Sequence, residues 1–233
     1  MRYTSIIIVC FSIVLFIVGC GQQQEKATEE SAALQTVPET VQFENQFVKV
    51  SEFVLKTGDK IPLHEGGPRV VYALSNYTIK WTEGDQVSDK TWQKGDVHWH
   101  EAIEHAVENI GETEANYLVI TRKENPLPET GNYSINQDAS QSDTEHATAV
   151  FENDNVRVIE VKLAAGDSQP MHDGVNRLIY SLSAYKIEYM SDQMDTKEMT
   201  MNAGDIHWHT ADQHAVKNIG ETLAHYVIFE FKQ

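Results

Sequence analysis

Ten histidines lie in the 233 residues, and eight of them fall into two sets of matching order: His64, His98, His100 and His105, then His172, His207, His209 and His214. Neutral imidazole ligates Zn, Fe, Mn, Cu and Ni and is the side chain that titrates nearest neutrality, so the pattern permits metal binding or proton transfer. On an extended chain, His98 and His100 share one face and Trp99 takes the other. With the histidine face inward, three or four imidazoles converge on one divalent metal. With Trp99 or Trp208 inward, the interior is aromatic and these histidines lie outside. Five residues after the first histidine of each set stands an arginine, and three residues later a tyrosine: Arg69 and Tyr72, then Arg177 and Tyr180. A guanidinium there can clamp the carboxylate of a small-molecule ligand bidentately while the tyrosine donates a hydrogen bond to it. The alternative is a surface ion pair with a neighbouring acid such as Glu65 or Asp173.

Several other chemistries are excluded. The run His100-Glu101-Ala102-Ile103-Glu104-His105 is one residue too long for the zinc-protease HExxH pattern, and the second half has Thr210 in place of Glu101. Neither a phosphate-binding glycine loop nor a G-x-S-x-G elbow occurs. The only cysteines are Cys10 and Cys20, which leaves no thiol in either histidine set for a nucleophile, disulfide or zinc cluster. With 18 Lys and Arg against 35 Asp and Glu, the net charge of −17 opposes nucleic-acid binding, and no basic patch offsets it.

The histidine sets belong to a duplication. FENQFVKVSEFVLKTGD from Phe43 lies over FENDNVRVIEVKLAAGD from Phe151 at an offset of 108, and GDVHWHEAIEHAVENIGET from Gly95 lies over GDIHWHTADQHAVKNIGET from Gly204 at 109. Each copy, about 80 residues, is enough for one small domain. Short runs rich in Val, Ile, Tyr and Phe, punctuated by Gly-Asp pairs at 58, 84, 95, 166 and 204, predict strands closing into a sandwich or barrel. A competing helix is conceivable only at Glu101 to Asn109, where the first copy has good helix formers. The predicted organisation is a domain at 42–123, a Pro-, Ser- and Asn-containing linker at 124–149 and a second domain at 150–233.

The order of the motifs resembles the cupin superfamily. Gly58 through Gly66 and Gly166 through Gly174 match its first motif, and Gly95 through His105 to Asn109 and Gly204 through His214 to Asn218 match its second. The resemblance covers both copies and implies an all-β chain of two tandem jelly-roll barrels, a bicupin. It also implies a ligand set drawn from His64, His105, His172 and His214, with His98, His100, His207 and His209 as further ligands, and an inward apolar or aromatic residue near Trp99. Metal-assisted oxygenase or isomerase chemistry would suit it. The second first-motif histidine, however, is replaced by Gly66 or Gly174, and the usual glutamate is missing from both copies. The alternative is therefore a non-catalytic surface binding or assembly module with degenerate metal sites, for which a second copy of the chain is a candidate partner.

The N-terminus has its own signature. Arg2, an apolar run from Ile6 to Val18 and then Gly19-Cys20 resemble a bacterial lipoprotein signal peptide, and the apolar run is shorter than the roughly 20 residues that span a bilayer. The resemblance implies a signal peptide at 1–19, acylated Cys20, a polar tether at 20–41 and export to a membrane surface, with Gly21 favouring the outer membrane or cell surface.

Overall fold

The computed structural model describes residue 37 and residues 39–233, so the signal segment, Cys20 and most of the tether lie outside the described residues. In the first copy, strands β1 Thr40–Glu44, β2 Val48–Leu55, β9 Ala115–Arg122, β4 Arg69–Ala73 and β7 Val97–His100 form a five-stranded sheet in that order. Strands β3 Lys60–Gly66, β8 Ile103–Asn109, β5 Tyr77–Glu83 and β6 Gln86–Trp92 form the four-stranded sheet facing it. The second copy repeats this arrangement. Its five-stranded sheet runs β10 Ala147–Glu152, β11 Val156–Leu163, β18 Ala224–Phe231, β13 Arg177–Ser181 and β16 Ile206–His209. Its four-stranded sheet runs β12 Ser168–Gly174, β17 Asp212–Asn218, β14 Tyr185–Ser191 and β15 Met194–Met201. The result is two jelly-roll barrels, as the cupin resemblance implies, built from the strands that the repeat and its pattern predict. Folded structure extends beyond the predicted boundaries, because β1 starts at Thr40 and β10 at Ala147. The linker also carries a short helix, α1 Ala139–Ser142.

Local chemistry accounts for the turns. In four of the Gly-Asp pairs the glycine has φ between 87° and 94°, a left-handed backbone that a side chain would strain. The aspartate then accepts from the backbone N–H three residues back: Lys56 N to Asp59 at 2.8 Å, Gln93 N to Asp96 at 2.7 Å, Ala164 N to Asp167 at 3.0 Å and Asn202 N to Asp205 at 2.6 Å. Glu101 to Asn109 is not helical. From Ile103 it is a strand paired on both sides, burying His105, Val107 and Asn109, because two neighbouring strands offer its alternate apolar positions a ladder and a core. Asn109 Nδ2 donates to Leu55 O and Thr113 O, both at 2.8 Å, and Asn218 repeats this with Leu163 O and Thr222 O.

Each five-stranded sheet is apolar on both faces. One face lines its own barrel; the other meets the second barrel, where Val48, Val50, Val70 and Leu118 join Val156, Val158, Leu178 and Phe229 in a single core. Phe47 stacks on Trp208 with centroids 5.3 Å apart. The two barrels therefore share apolar surface that neither buries alone.

Candidate functional site

A bulge aims the first histidine of each copy. In β3, Ile61 opposes Val107 and His64 opposes His105, so three steps along β3 match two along β8. Ile61 and His64 would face opposite ways on a regular strand; the extra residue turns both into the barrel. Pro62 tolerates this place because a bulge leaves a backbone N–H unpaired anyway. The same shift recurs between Gln169 and His172. The ring centroids of His64 and His105 are 4.2 Å apart, as are those of His172 and His214, so early and late histidines meet in both barrels.

His98 and His100 also line the first cavity, whereas Trp99 and Trp208 turn into the core between the barrels. The expected inward aromatic at Trp99 is thus corrected: β7 pairs His98 with Val71 and Trp99 with Val70, and Val70 belongs to the face covered by the second barrel. The tyrosine expectation is corrected for the same reason. Tyr72 and Tyr180 stand three residues beyond their arginines, and an odd interval on a strand reverses the face. Tyr72 packs edge-on against Phe229 at 6.0 Å in the core between the barrels, so it cannot serve a ligand held by Arg69. Tyr180 packs into the same core.

The first barrel encloses about 260 Å³, just under the usual range for ligand pockets, roughly 300–1,000 Å³. Its wall carries His64, His98, His100, His105 and Arg69 beside Tyr77, Trp81 and Tyr117. Trp81 stacks on His100 and His105 at 4.6 and 4.2 Å, and Trp92 stacks on His98 at 3.8 Å. Sequence reasoning missed these two tryptophans and both tyrosines, whose signal was alternate aromatics on β5 and a Tyr retained in both copies.

Hydrogen bonds assign the imidazole protons. His64 Nδ1 lies 2.9 Å from Pro62 O, and His105 Nδ1 3.2 Å from Ile103 O; a carbonyl only accepts, so both Nδ1 atoms carry hydrogen. His105 Nε2 is then free to accept, and Arg69 Nη2 donates to it at 3.0 Å. Burial, and then Arg69, lower the His105 pKa to about 4. Burial likewise lowers His100 to about 4, with Arg69 adding to it, and His98 to about 3, with His100 adding to it. These three rings are neutral at pH 7.

Arg69 is therefore the fixed cation of the wall. It is 5% exposed, Nη1 donates to Gly67 O at 2.9 Å, and among the described residues it has no carboxylate partner. Neither Glu65 nor Asp173 pairs with these arginines; Asp173 instead accepts from Ser134 N at 2.9 Å. In the second barrel Arg177 holds the same pose, but Nη2 donates to Asp212 at 2.8 Å and to Tyr189 Oη at 2.9 Å. Asp212 also accepts from Tyr189 at 2.5 Å and Ser191 at 2.8 Å. Burial opposes its ionisation, yet the His214 bond and the Arg177 charge hold its carboxyl well below the ordinary carboxylate range. The second cavity shrinks to about 20 Å³. Met199, in place of Lys90, packs against its core, and Ala139 of α1 adds to that core. Asp138, beside it, pairs with Arg157 at 2.5 Å.

A divalent ion does not fit the paired histidines as they are arranged. A Cβ on Gly66 would lie 2.7 Å from Arg69 Cζ and 2.9 Å from His105 Cε1, so the guanidinium fills the place where a further ligand would start. The same lone pair of His105 that would bind the ion accepts from Arg69, and among the described residues no three His, Cys, Asp or Glu side chains form a metal-holding group.

The architecture is that of known cupins. AerE from Microcystis aeruginosa superposes with a TM-score of 0.62 at 15% identity, over 87% of this chain and 95% of that one. A cupin 2 conserved barrel domain protein from Leptotrichia buccalis gives 0.51 at 16%, over 85% and 90%. An oxalate decarboxylase from Bacillus subtilis gives 0.59 at 13%, over 85% and 76%. No family profile matches the sequence, and no curated protein does. The described chain consists of two cupin-fold barrels in tandem, the first open and lined by imidazoles, the second closed around its own ion pair.

Proposed function

We propose that this is an exported, lipid-anchored tandem cupin whose first barrel binds a small carboxylate-bearing molecule through Arg69, while the second serves as a closed structural copy. One observation carries this reading: Arg69 lines an open cavity with no carboxylate paired to it among the described residues, whereas its counterpart Arg177 has Asp212. A buried charge without a partner is costly, and a ligand carboxylate supplies that partner. Neutral His105 lies beside the guanidinium and adds a polar contact without cancelling the charge.

Calorimetric titration of residues 22–233 with acetate, butyrate and benzoate should show one saturable site per chain, abolished by Arg69→Gln. Failure of every carboxylate to bind would refute the reading. Metal-assisted oxygenase or isomerase chemistry is the second reading, favoured by four imidazoles on one wall and by the buried, unpartnered Nδ1 of His98. It requires Arg69 to leave His105. Metal analysis after incubation with Mn, Fe, Zn, Cu and Ni decides it, since stoichiometric metal lost in His64→Ala would favour metal over the guanidinium.

Anchoring through Cys20 rests on the signal-peptide resemblance and has a separate test. Cys20→Ser should accumulate in cells as a full-length, unacylated precursor; normal processing of that variant would remove the anchor from the proposal.

A further inference from the structure

Resting on the carboxylate reading, the geometry points to a narrower ligand: a monocarboxylate with an apolar body, its carboxylate placed in the first barrel where the Asp212 carboxylate sits in the second. The second barrel is an internal template. Arg69 and Arg177 take the same pose, since a Cβ on Gly66 or Gly174 would meet their Cζ atoms at 2.7 and 2.6 Å and the adjacent His Cε1 atoms at 2.9 and 2.8 Å. Each arginine also donates through Nη1 to the carbonyl two residues back, at 2.9 and 3.1 Å. What differs is the residue opposite the glycine: Ile103 in the first barrel and Asp212 in the second. Beside it, Trp81 replaces the hydroxyl-bearing Tyr189.

The charges around the first cavity limit the ligand to one negative group. Arg69 is the only cation there without a protein anion among the described residues, because Lys49, the other basic residue of the wall, is held by Glu39 at 2.6 Å. With Lys49 and Glu39 neutralising one another, Glu65 is the remaining acid of the lining and would repel a second anionic group. Besides the imidazoles the wall carries Val71, Tyr77, Ile79, Trp81 and Tyr117, which suit a hydrocarbon or aromatic body. Dicarboxylates and inorganic phosphate should be rejected.

The test exchanges the template between barrels. In the full mature chain, butyrate or benzoate should bind at least about tenfold more tightly than succinate or phosphate, one methylene-scale contact and one uncompensated charge apart. Ile103→Asp supplies a tethered carboxylate to Arg69 and should weaken monocarboxylate binding about a hundredfold or more. In an Arg69→Gln background, which silences the first barrel, Asp212→Ala should acquire formate-dependent thermal stabilisation absent at equal ionic strength of chloride and absent when Asp212 is present. Succinate or phosphate binding as tightly as the monocarboxylates, unchanged affinity in Ile103→Asp, or no formate effect in Asp212→Ala would each overturn the inference. The first two of these outcomes leave carboxylate binding by the first barrel standing, whereas loss of all binding in the unmodified chain removes both.

Discussion

Arg177→Met is expected to cost about 3–5 kcal/mol of stability, while Arg69→Met changes stability by no more than about 1 kcal/mol. The two arginines occupy equivalent positions, so the contrast isolates what surrounds them. Removing Arg177, which is 1% exposed, strands the Asp212 carboxylate in a nearly filled interior with only hydroxyl and imidazole partners. A buried charge deprived of its counterion pays most of its desolvation cost. Removing Arg69 strands nothing charged. His105 loses one donor to a neutral nitrogen that faces an open cavity, and Gly67 O becomes accessible to water there. Against those losses stands relief from burying an unpartnered cation. Chemical denaturation of both variants at pH 7 checks the expectation. A loss at Arg69 as large as that at Arg177 would mean that Arg69 already has a protein counterion, and the carboxylate reading would fall with it.

The same contrast explains how far the sequence could be read. Strand pattern, Gly-Asp turns and the repeat fix the barrels, because each of those signals is local: a left-handed glycine and an aspartate accepting three residues back need no distant partner. That His64 meets His105 was an expectation resting on the cupin resemblance, and the register sets the two opposite one another. The direction of Trp99 was not local. Both faces of β7 are covered, one by its own barrel and one by the other, so hydrophobicity could not choose between them. Strand alternation alone separates Arg69 from Tyr72, and three residues is an odd interval that reading by copy-to-copy matching overlooks. The largest omission lay in positions where the copies differ. Ile103 against Asp212, Trp81 against Tyr189 and Lys90 against Met199 decide which barrel is open, whereas the matched histidines are common to both.

Gly174→Ala should destabilise the protein by about 3 kcal/mol or more, and Gly66→Ala should be milder for stability yet abolish carboxylate binding. Neither glycine is needed for a left-handed backbone; each is needed for room. In the second barrel the added methyl meets the Arg177 guanidinium and the His214 ring within 3 Å, and both are pinned, the first by Asp212 and Tyr189 and the second by Asp212. With only about 20 Å³ free, the guanidinium has no space into which to retreat, so overpacking and a broken buried ion pair add. In the first barrel the methyl meets the equivalent atoms, but some 260 Å³ of cavity lies beside Arg69, which can swing into it at modest cost. That movement takes the donor off His105 Nε2 and misaligns the clamp on a ligand carboxylate. Thermal unfolding of the two variants, with butyrate titration of Gly66→Ala, measures both halves of the expectation. Metal content of Gly66→Ala then adds a third reading: with the guanidinium displaced, His105 Nε2 loses its donor beside the His64 ring, and any gain of Mn or Zn over the unmodified chain would identify Arg69 as the group that keeps a cation out of this barrel by standing in for one.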